Sequence, residues 1–223
     1  MILNKYQTYT EIETRGYSST ARIQNEDGKI FFAKWLKGIK KNSQQSKILN
    51  DKLRQLKKAI YPSLPQIVEY DWDESQNSYC IVFENKNAET LEEKVQGLQP
   101  IYFLKGIEQI IGCLQQLQQK HRISHGDLTP ANILVDDSND FYLIDFGISD
   151  IANTLSQELE LEVFAKEFAA PEKWNREIPK GFSYQSDIFS IGKVIEWYFE
   201  SKRIEEHNSI AEIVNNSCKQ ILS

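Results

Sequence analysis

Ser124 to Gly147 reads SHGDLTPANILVDDSNDFYLIDFG, and this stretch decides the fold. Two apolar strand-like triplets, Ile133–Val135 and Tyr142–Ile144, flank the acidic turn 136–140. A polar turn between apolar runs predicts a hairpin. A hairpin brings its two ends together, so Asn132 and Asp145 are expected side by side. An amide carbonyl and a carboxylate at one place suit Mg²⁺, which takes oxygen ligands and shares them with substrate phosphates. Asp127, five residues before Asn132, falls on the same rim as a carboxylate able to orient a hydroxyl nucleophile. For any one of these residues, an ordinary hairpin with solvated acids is the competing explanation. The order and spacing of all three together argue against it.

HGDLTPANIL followed by DFG resembles the catalytic and metal-binding loops of the protein-kinase family, in a variant with glycine before the catalytic aspartate. The resemblance implies a two-lobed α+β fold, with a small antiparallel β lobe over residues 1–86. A mainly helical large lobe is expected over residues 87–223. It also implies ATP and Mg²⁺ as cofactors. Asp127 would be the catalytic base, and Asn132 and Asp145 the metal ligands.

Upstream, polar and apolar residues alternate from residue 6 to 36, and Asn25-Glu26-Asp27-Gly28 is a hairpin turn. The segment Thr14–Ala21 occupies the place of the glycine-rich phosphate loop. Only Gly16 of its glycines remains, with Thr14 and Ser19 in the other places, so a stiffer flap is expected. Phe32-Ala33-Lys34-Trp35 resembles the V-A-I-K strand. It assigns Lys34 to the α- and β-phosphates and Ala33 to the cofactor site.

Apolar spacing at Ile48, Leu49, Leu53, Leu56 and Ala59 predicts a helix over 43–59, stopped by Pro62. No glutamate lies between Lys34 and Glu69, although the family places a glutamate partner for the strand lysine on this helix. Asp51 is the acid available there, and it is expected either to substitute or to lie on a solvated face. Strands are expected at 67–70 and 79–83. By alignment, Phe83 takes the gatekeeper place, while Glu84 and Lys86 belong to the hinge that meets adenine. Leu134 also belongs to the cofactor site. A short helix starts at Leu91, and a longer one over 101–121 carries a stripe of Leu104, Ile107, Ile111, Leu114 and Leu117.

Further departures bear on activity. Gly126 replaces the arginine that reads a phosphorylated activation loop, so no such switch is expected. Thr129 replaces the lysine that contacts the γ-phosphate. His125 is expected to be structural, packing beneath the metal loop. Ala170-Pro171-Glu172 resembles the A-P-E end of an activation segment, although the usual upstream threonine is missing. Ser149, Thr154 and Ser156 are candidate phosphorylation sites. Ser186–Gly192 resembles the start of the central large-lobe helix, where Asp187 would accept hydrogen bonds from the catalytic-loop backbone. The A-P-E and Ser186–Gly192 segments favour a protein kinase over a small-molecule kinase.

Composition sets outer bounds. The 223 residues are 40% hydrophobic, 26% charged and carry a net charge of −6. That is enough apolar material for a substantial core, and the balance argues against nucleic acid or an anionic membrane as partner. Three dispersed cysteines without zinc spacing point to reduced, buried thiols. With no signal-peptide pattern and no apolar span of membrane length, the expected location is cytoplasmic. Little chain follows the last motif. A partner, a dimer or a further domain is therefore expected over the shortened large lobe.

The reading is an ATP- and Mg²⁺-dependent protein kinase acting on Ser/Thr hydroxyls. A nucleotide-binding or scaffolding pseudokinase is the second reading, and a small-molecule kinase the third.

Overall fold

The computed structural model describes residues 5–8, 10, 13–15, 18–146, 167–173 and 184–221. Its first layer is a six-stranded antiparallel sheet built from β1 (Tyr6–Thr8), β2 (Glu13–Arg15), β3 (Ser18–Asn25), β4 (Ile30–Leu36), β5 (Ile67–Asp73) and β6 (Ser78–Glu84). The order is β1-β3-β4-β6-β5, with β2 paired to β3. The β3–β4 hairpin turns at 25–28, where Gly28 takes a φ of 81° and donates its N–H to Asn25 O at 3.0 Å. A left-handed backbone there favours glycine.

Helix α1 spans Gln44–Lys58. Its Ser43 cap accepts the Ser46 N–H at 3.1 Å, which satisfies one of the donors a helix start leaves over. Spacings of three and four put Ser46, Leu49, Leu53 and Leu56 on its buried face. Ile48, expected in that stripe, is instead 47% exposed, because it lies one helical step off the face.

Strand β7 (Ala88–Thr90) belongs to a second, three-stranded sheet with β8 (Ile133–Asp136) and β9 (Phe141–Leu143). Thr90 and Glu93 form a reciprocal capping box that starts the short helix α2 (Leu91–Lys94). Helix α3 (Pro100–His121) then buries Phe103, Ile107, Ile110, Cys113, Leu114 and Leu117. The expected stripe is corrected at two positions: Leu104 is 47% exposed, and Ile111 is half-buried. The 103-107-110-114-117 spacing holds one face more closely, so those side chains take the core.

Helix α4 runs unbroken over Tyr184–Ile221, from just before the Ser186–Gly192 segment in which the sequence placed the start of a large-lobe helix. No proline or glycine lies between Lys193 and Ile221 to stop it. It packs on α3 through Tyr198, whose ring stacks on Phe103 at 3.7 Å and whose hydroxyl donates to Leu98 O at 2.6 Å. The architecture is the two-lobed α+β arrangement of the protein-kinase-like fold. No helix of the described residues is long and apolar enough to cross a membrane.

Alternation along β4 orients the site. Phe31, Ala33 and Trp35 face a buried cluster with Ala21, Ile23, Cys80 and Val82. Phe32 and Lys34 point to the opposite side, toward the second sheet.

Candidate active site

Strands β8 and β9 pair as Ile133↔Leu143, and the Ile144 N–H donates to Asn132 O at 3.1 Å. This closes the hairpin at its open end and puts Asn132 beside the start of the Asp145 loop. Asn132 Nδ2 donates to Asp127 O at 2.7 Å and to Asp127 Oδ2 at 3.2 Å. Both donors are thus directed at Asp127, and Oδ1 is the acceptor end of the amide. Asp145 sits at φ 64°, a left-handed conformation in which an aspartate is uncommon, and locally strained geometry of this kind concentrates at functional sites. Its Oδ1 lies 2.5 Å from Lys34 Nζ. Four of the residues singled out from sequence therefore form two linked pairs, Lys34–Asp145 and Asn132–Asp127.

The loop rests on a buried frame. Asp187, 1% exposed, accepts the His125 N–H at 2.7 Å and the Gly126 N–H at 2.9 Å, as its place at the start of α4 suggested. Gly126 has φ 86°, so the residue at this place must tolerate a left-handed backbone. The fully buried His125 ring packs edge-on against Phe146 at 4.9 Å. Its Nδ1 accepts the Asp127 N–H at 3.2 Å, and its Nε2 lies 2.8 Å from Ile144 O. An acceptor at Nδ1 and a carbonyl at Nε2 require the neutral Nε2–H tautomer, so His125 is a brace between the two loops.

A cavity of about 310 Å³ lies between the sheets, within the usual size of small-ligand sites. Glu84, Lys86, Leu134 and Asp145, all expected at a cofactor site, line it. Lys86 Nζ pairs with Glu84 at 3.1 Å and sits 4.8 Å over the Tyr142 ring. Burial and a hydrogen bond to Asp136 push the Tyr142 hydroxyl well above the usual phenol range, which keeps the ring neutral under that cation.

Two expected residues are corrected. Ala33 is fully buried on the far side of the sheet, because strand side chains alternate faces and Lys34 takes the cavity side. Phe32, two residues before Lys34, lines the cavity instead, and period two could have identified it. Asp51 is exposed and pairs with Arg54 at 3.1 Å. It lies two positions after the inward Leu49, about 200° around the helix, so it points away from Lys34. Sequence reasoning also missed Arg22, Thr90 and Glu93 at the cavity wall. Gly16, Ser149, Thr154 and Ser156 lie outside the described residues, and Ser19 is buried on the face opposite the cavity. The A-P-E glutamate, Glu172, accepts the Ser186 hydroxyl at 2.5 Å.

Asn132 and Asp145 fit Mg²⁺ in the mode in which one or two protein oxygens share the ion with substrate phosphates. Among the described residues no cluster of three or more His, Cys, Asp or Glu forms a self-sufficient metal cage. These two statements agree, because this mode needs no such cage.

The family described as protein kinase domain matches residues 7–223. The human serine/threonine-protein kinase Nek2 is 24% identical over 199 residues, covering 84% of this chain and 44% of that protein. The human hormonally up-regulated neu tumor-associated kinase is 31% identical over 137 residues, 59% of this chain and 18% of the relative. The dual specificity mitogen-activated protein kinase kinase jkk-1 of Caenorhabditis elegans is 38% identical over 82 residues, 37% and 19% respectively. The chain thus matches less than half the length of these relatives. With the match running from residue 7 to the last residue, and with the two-lobed fold, the chain belongs to the protein kinase domain family.

Proposed function

We propose that the protein is an ATP- and Mg²⁺-dependent kinase acting on Ser/Thr hydroxyls of a protein, working without activation-loop phosphorylation. The observation that carries this is the pairing of Lys34 with Asp145, which lines the cavity, and of Asn132 with Asp127, at 2.5 Å and 3.2 Å, the two pairs joined through the Ile144 N–H to Asn132 O bond. Lys34 supplies a fixed cation for the α- and β-phosphates. Asn132 and Asp145 would hold the metal ion, which would supply charge neutralisation for the phosphates. Asp127 orients the acceptor hydroxyl and takes its proton as the hydroxyl oxygen attacks the γ-phosphorus and ADP departs. Gly126 supports independence from loop phosphorylation, since it offers no guanidinium to pair with a phosphate. We place the boundary between the lobes at residues 86/87 and the protein in the cytoplasm.

Labelled transfer tests the reading. Incubation with Mg²⁺ and γ-labelled ATP, with and without a generic protein substrate, should label serine or threonine in the wild type. Asp127→Ala and Asp145→Ala should each lose the label. Wild type that stays unlabelled across substrates while Mg²⁺-ATP raises its melting temperature would sink the catalytic reading.

That outcome would support a second one, a nucleotide-binding module without turnover. It is favoured by the inner face of α1, which offers Lys34 only Leu49, Leu53 and Leu56 beyond Ser46 and no acid.

A further inference from the structure

Helix α4 turns an apolar line to solvent. At about 100° per residue, Ile188, Gly192, Ile195 and Phe199 fall within about 60° of one another around its axis. Ile188 and Phe199 are 37% and 45% exposed, Ile195 is half-buried, and a methyl group added at Gly192 would meet nothing within 4 Å. Lys193, Glu196 and Glu200 stand to one side, the first two paired at 2.6 Å, so the line itself carries no charge. Helix α3 widens it. The start of α4 holds the loop after α3 through Asp187, and Lys202 reaches Gln96 O just before α3, so the two helices are antiparallel. In such a pair, residues one step past a contact lie on the same side of both helices. Leu104, 47% exposed, therefore stands beside Phe199, one step past the Phe103–Tyr198 stack. Helices bury apolar lines of this kind against a further element, and among the described residues α3 is the element in extended contact with α4.

We propose that a second copy of this chain covers the line, through an antiparallel pair of α4 helices about a two-fold axis at Gly192. The line is self-complementary in that arrangement. Gly192 faces the partner's Gly192, and with no side chain at the crossing the two axes close to about 8 Å, the short end of helix packing. On either side Ile188 meets the partner's Ile195, and Phe199 and Leu104 close the two ends. Charge selects the direction. Lys202 and Arg203 end the line, and parallel copies would set these cations against each other. The antiparallel pair holds the two clusters about 30 Å apart, well beyond a Debye length of about 8 Å. The footprint sets the strength. A strip of α4 roughly 25 Å long, with the Leu104 edge, buries roughly 500 Å² per copy. A total of about 1,000 Å² is at the low end for a specific interface, so the dimer forms at micromolar concentration and is not obligate.

Sedimentation of the full chain between about 5 and about 200 μM should show a monomer–dimer equilibrium, half dimer in the tens of micromolar. Gly192→Leu fills the crossing. It should stay monomeric over that range while melting at or above wild type, since a helical glycine is replaced where space is open. Ile188→Glu should also stay monomeric, whereas Ile60→Glu, at a 79% exposed position after α1, should dimerise like wild type. Gly192→Cys should cross-link to its own copy under mild oxidation, beyond any cross-linking of wild type, and Arg203→Cys should not. Wild type that is monomeric throughout would overturn the proposal, and Gly192→Leu then melting below wild type would assign the line to another segment of the same chain. A dimer that survives Gly192→Leu uses a different surface and overturns it equally. Cross-linking by Arg203→Cys alone would refute the antiparallel pairing.

Discussion

Lys34 Nζ lies 2.5 Å from Asp145 Oδ1, tying the middle of β4 to the loop that follows β9. Lys34 is 7% exposed, so its charge is held out of water and depends on this partner. Replacing Asp145 by Ala leaves a buried ammonium without its carboxylate, a change that costs about 3 kcal/mol when both charges are buried and less here because the Asp145 side chain is 32% exposed. Asp145→Asn, which keeps an acceptor, should lose less. Urea denaturation of the two variants beside wild type checks the ranking. Wild-type stability in both variants would show that the pair contributes nothing to the fold.

Gly106 on α3 faces Phe141 on β9. A methyl group added there would meet Phe141 ring carbons at 2.3–2.4 Å, well inside contact distance. Gly106→Ala gains about 1 kcal/mol of helix propensity and loses about 1–3 kcal/mol to overpacking. Because Phe141 is 1% exposed and cannot swing clear, packing wins and the variant should melt below wild type. Gly112, which has nothing within 4 Å of the same added methyl, is the control: Gly112→Ala should be stabilising.

Asp187 serves two backbone donors, and its removal should reach the loop that carries Asp127. Asp187→Ala takes the carboxylate from the His125 and Gly126 N–H groups inside a buried site, a loss of about 2–3 kcal/mol. Asp187→Asn keeps one acceptor and should recover part of it. If the loop depends on this frame, amide exchange at residues 125–127 should accelerate in Asp187→Ala more than exchange in β3 or β4. Uniform acceleration would reduce Asp187 to a general stability role.

Asp136 gives a pH prediction. Burial of its carboxyl acts to raise the pKa. Hydrogen bonds from Asp140 N, Tyr142 Oη and Ser138 N, with the Lys94 charge nearby, outweigh burial and hold the group below the usual carboxylate range. A depressed folded pKa means the stabilisation is fully present above the unfolded value of about 3.9 and disappears as pH falls through the folded value. Asp136→Asn should therefore destabilise near pH 7 and converge on wild type toward pH 2. A constant gap between the two melting curves from pH 7 to pH 2 would refute the assignment.

Much of the site was legible because it is local. Asn132 and the residue before Asp145 are joined across a hairpin of a few residues, and the period of two in β8 and β9 fixes which residues face the core. The Ser43 cap and the 46-49-53-56 face of α1 likewise follow from short-range rules. Ala33 was misassigned although the alternation that corrects it was already in the sequence, since Lys34 fixes the cavity side of β4 and Phe32 shares it. For Asp51, chemistry named the acid available on α1, but helical phase turns it outward to Arg54.

The sequence by itself determined most of the elements, the loop that carries Asp127, Asn132 and Asp145, and the family resemblance, because each depends on residues close along the chain. Tertiary structure decided the partners. Lys34 takes Asp145 rather than Asp51, and Glu172 takes the Ser186 hydroxyl. The row Arg22–Phe32–Phe83–Ile67 exists only once four strands have paired in register. Contacts between residues distant in sequence depend on register and helical phase together, and an error of one residue in either sends a side chain to the opposite face.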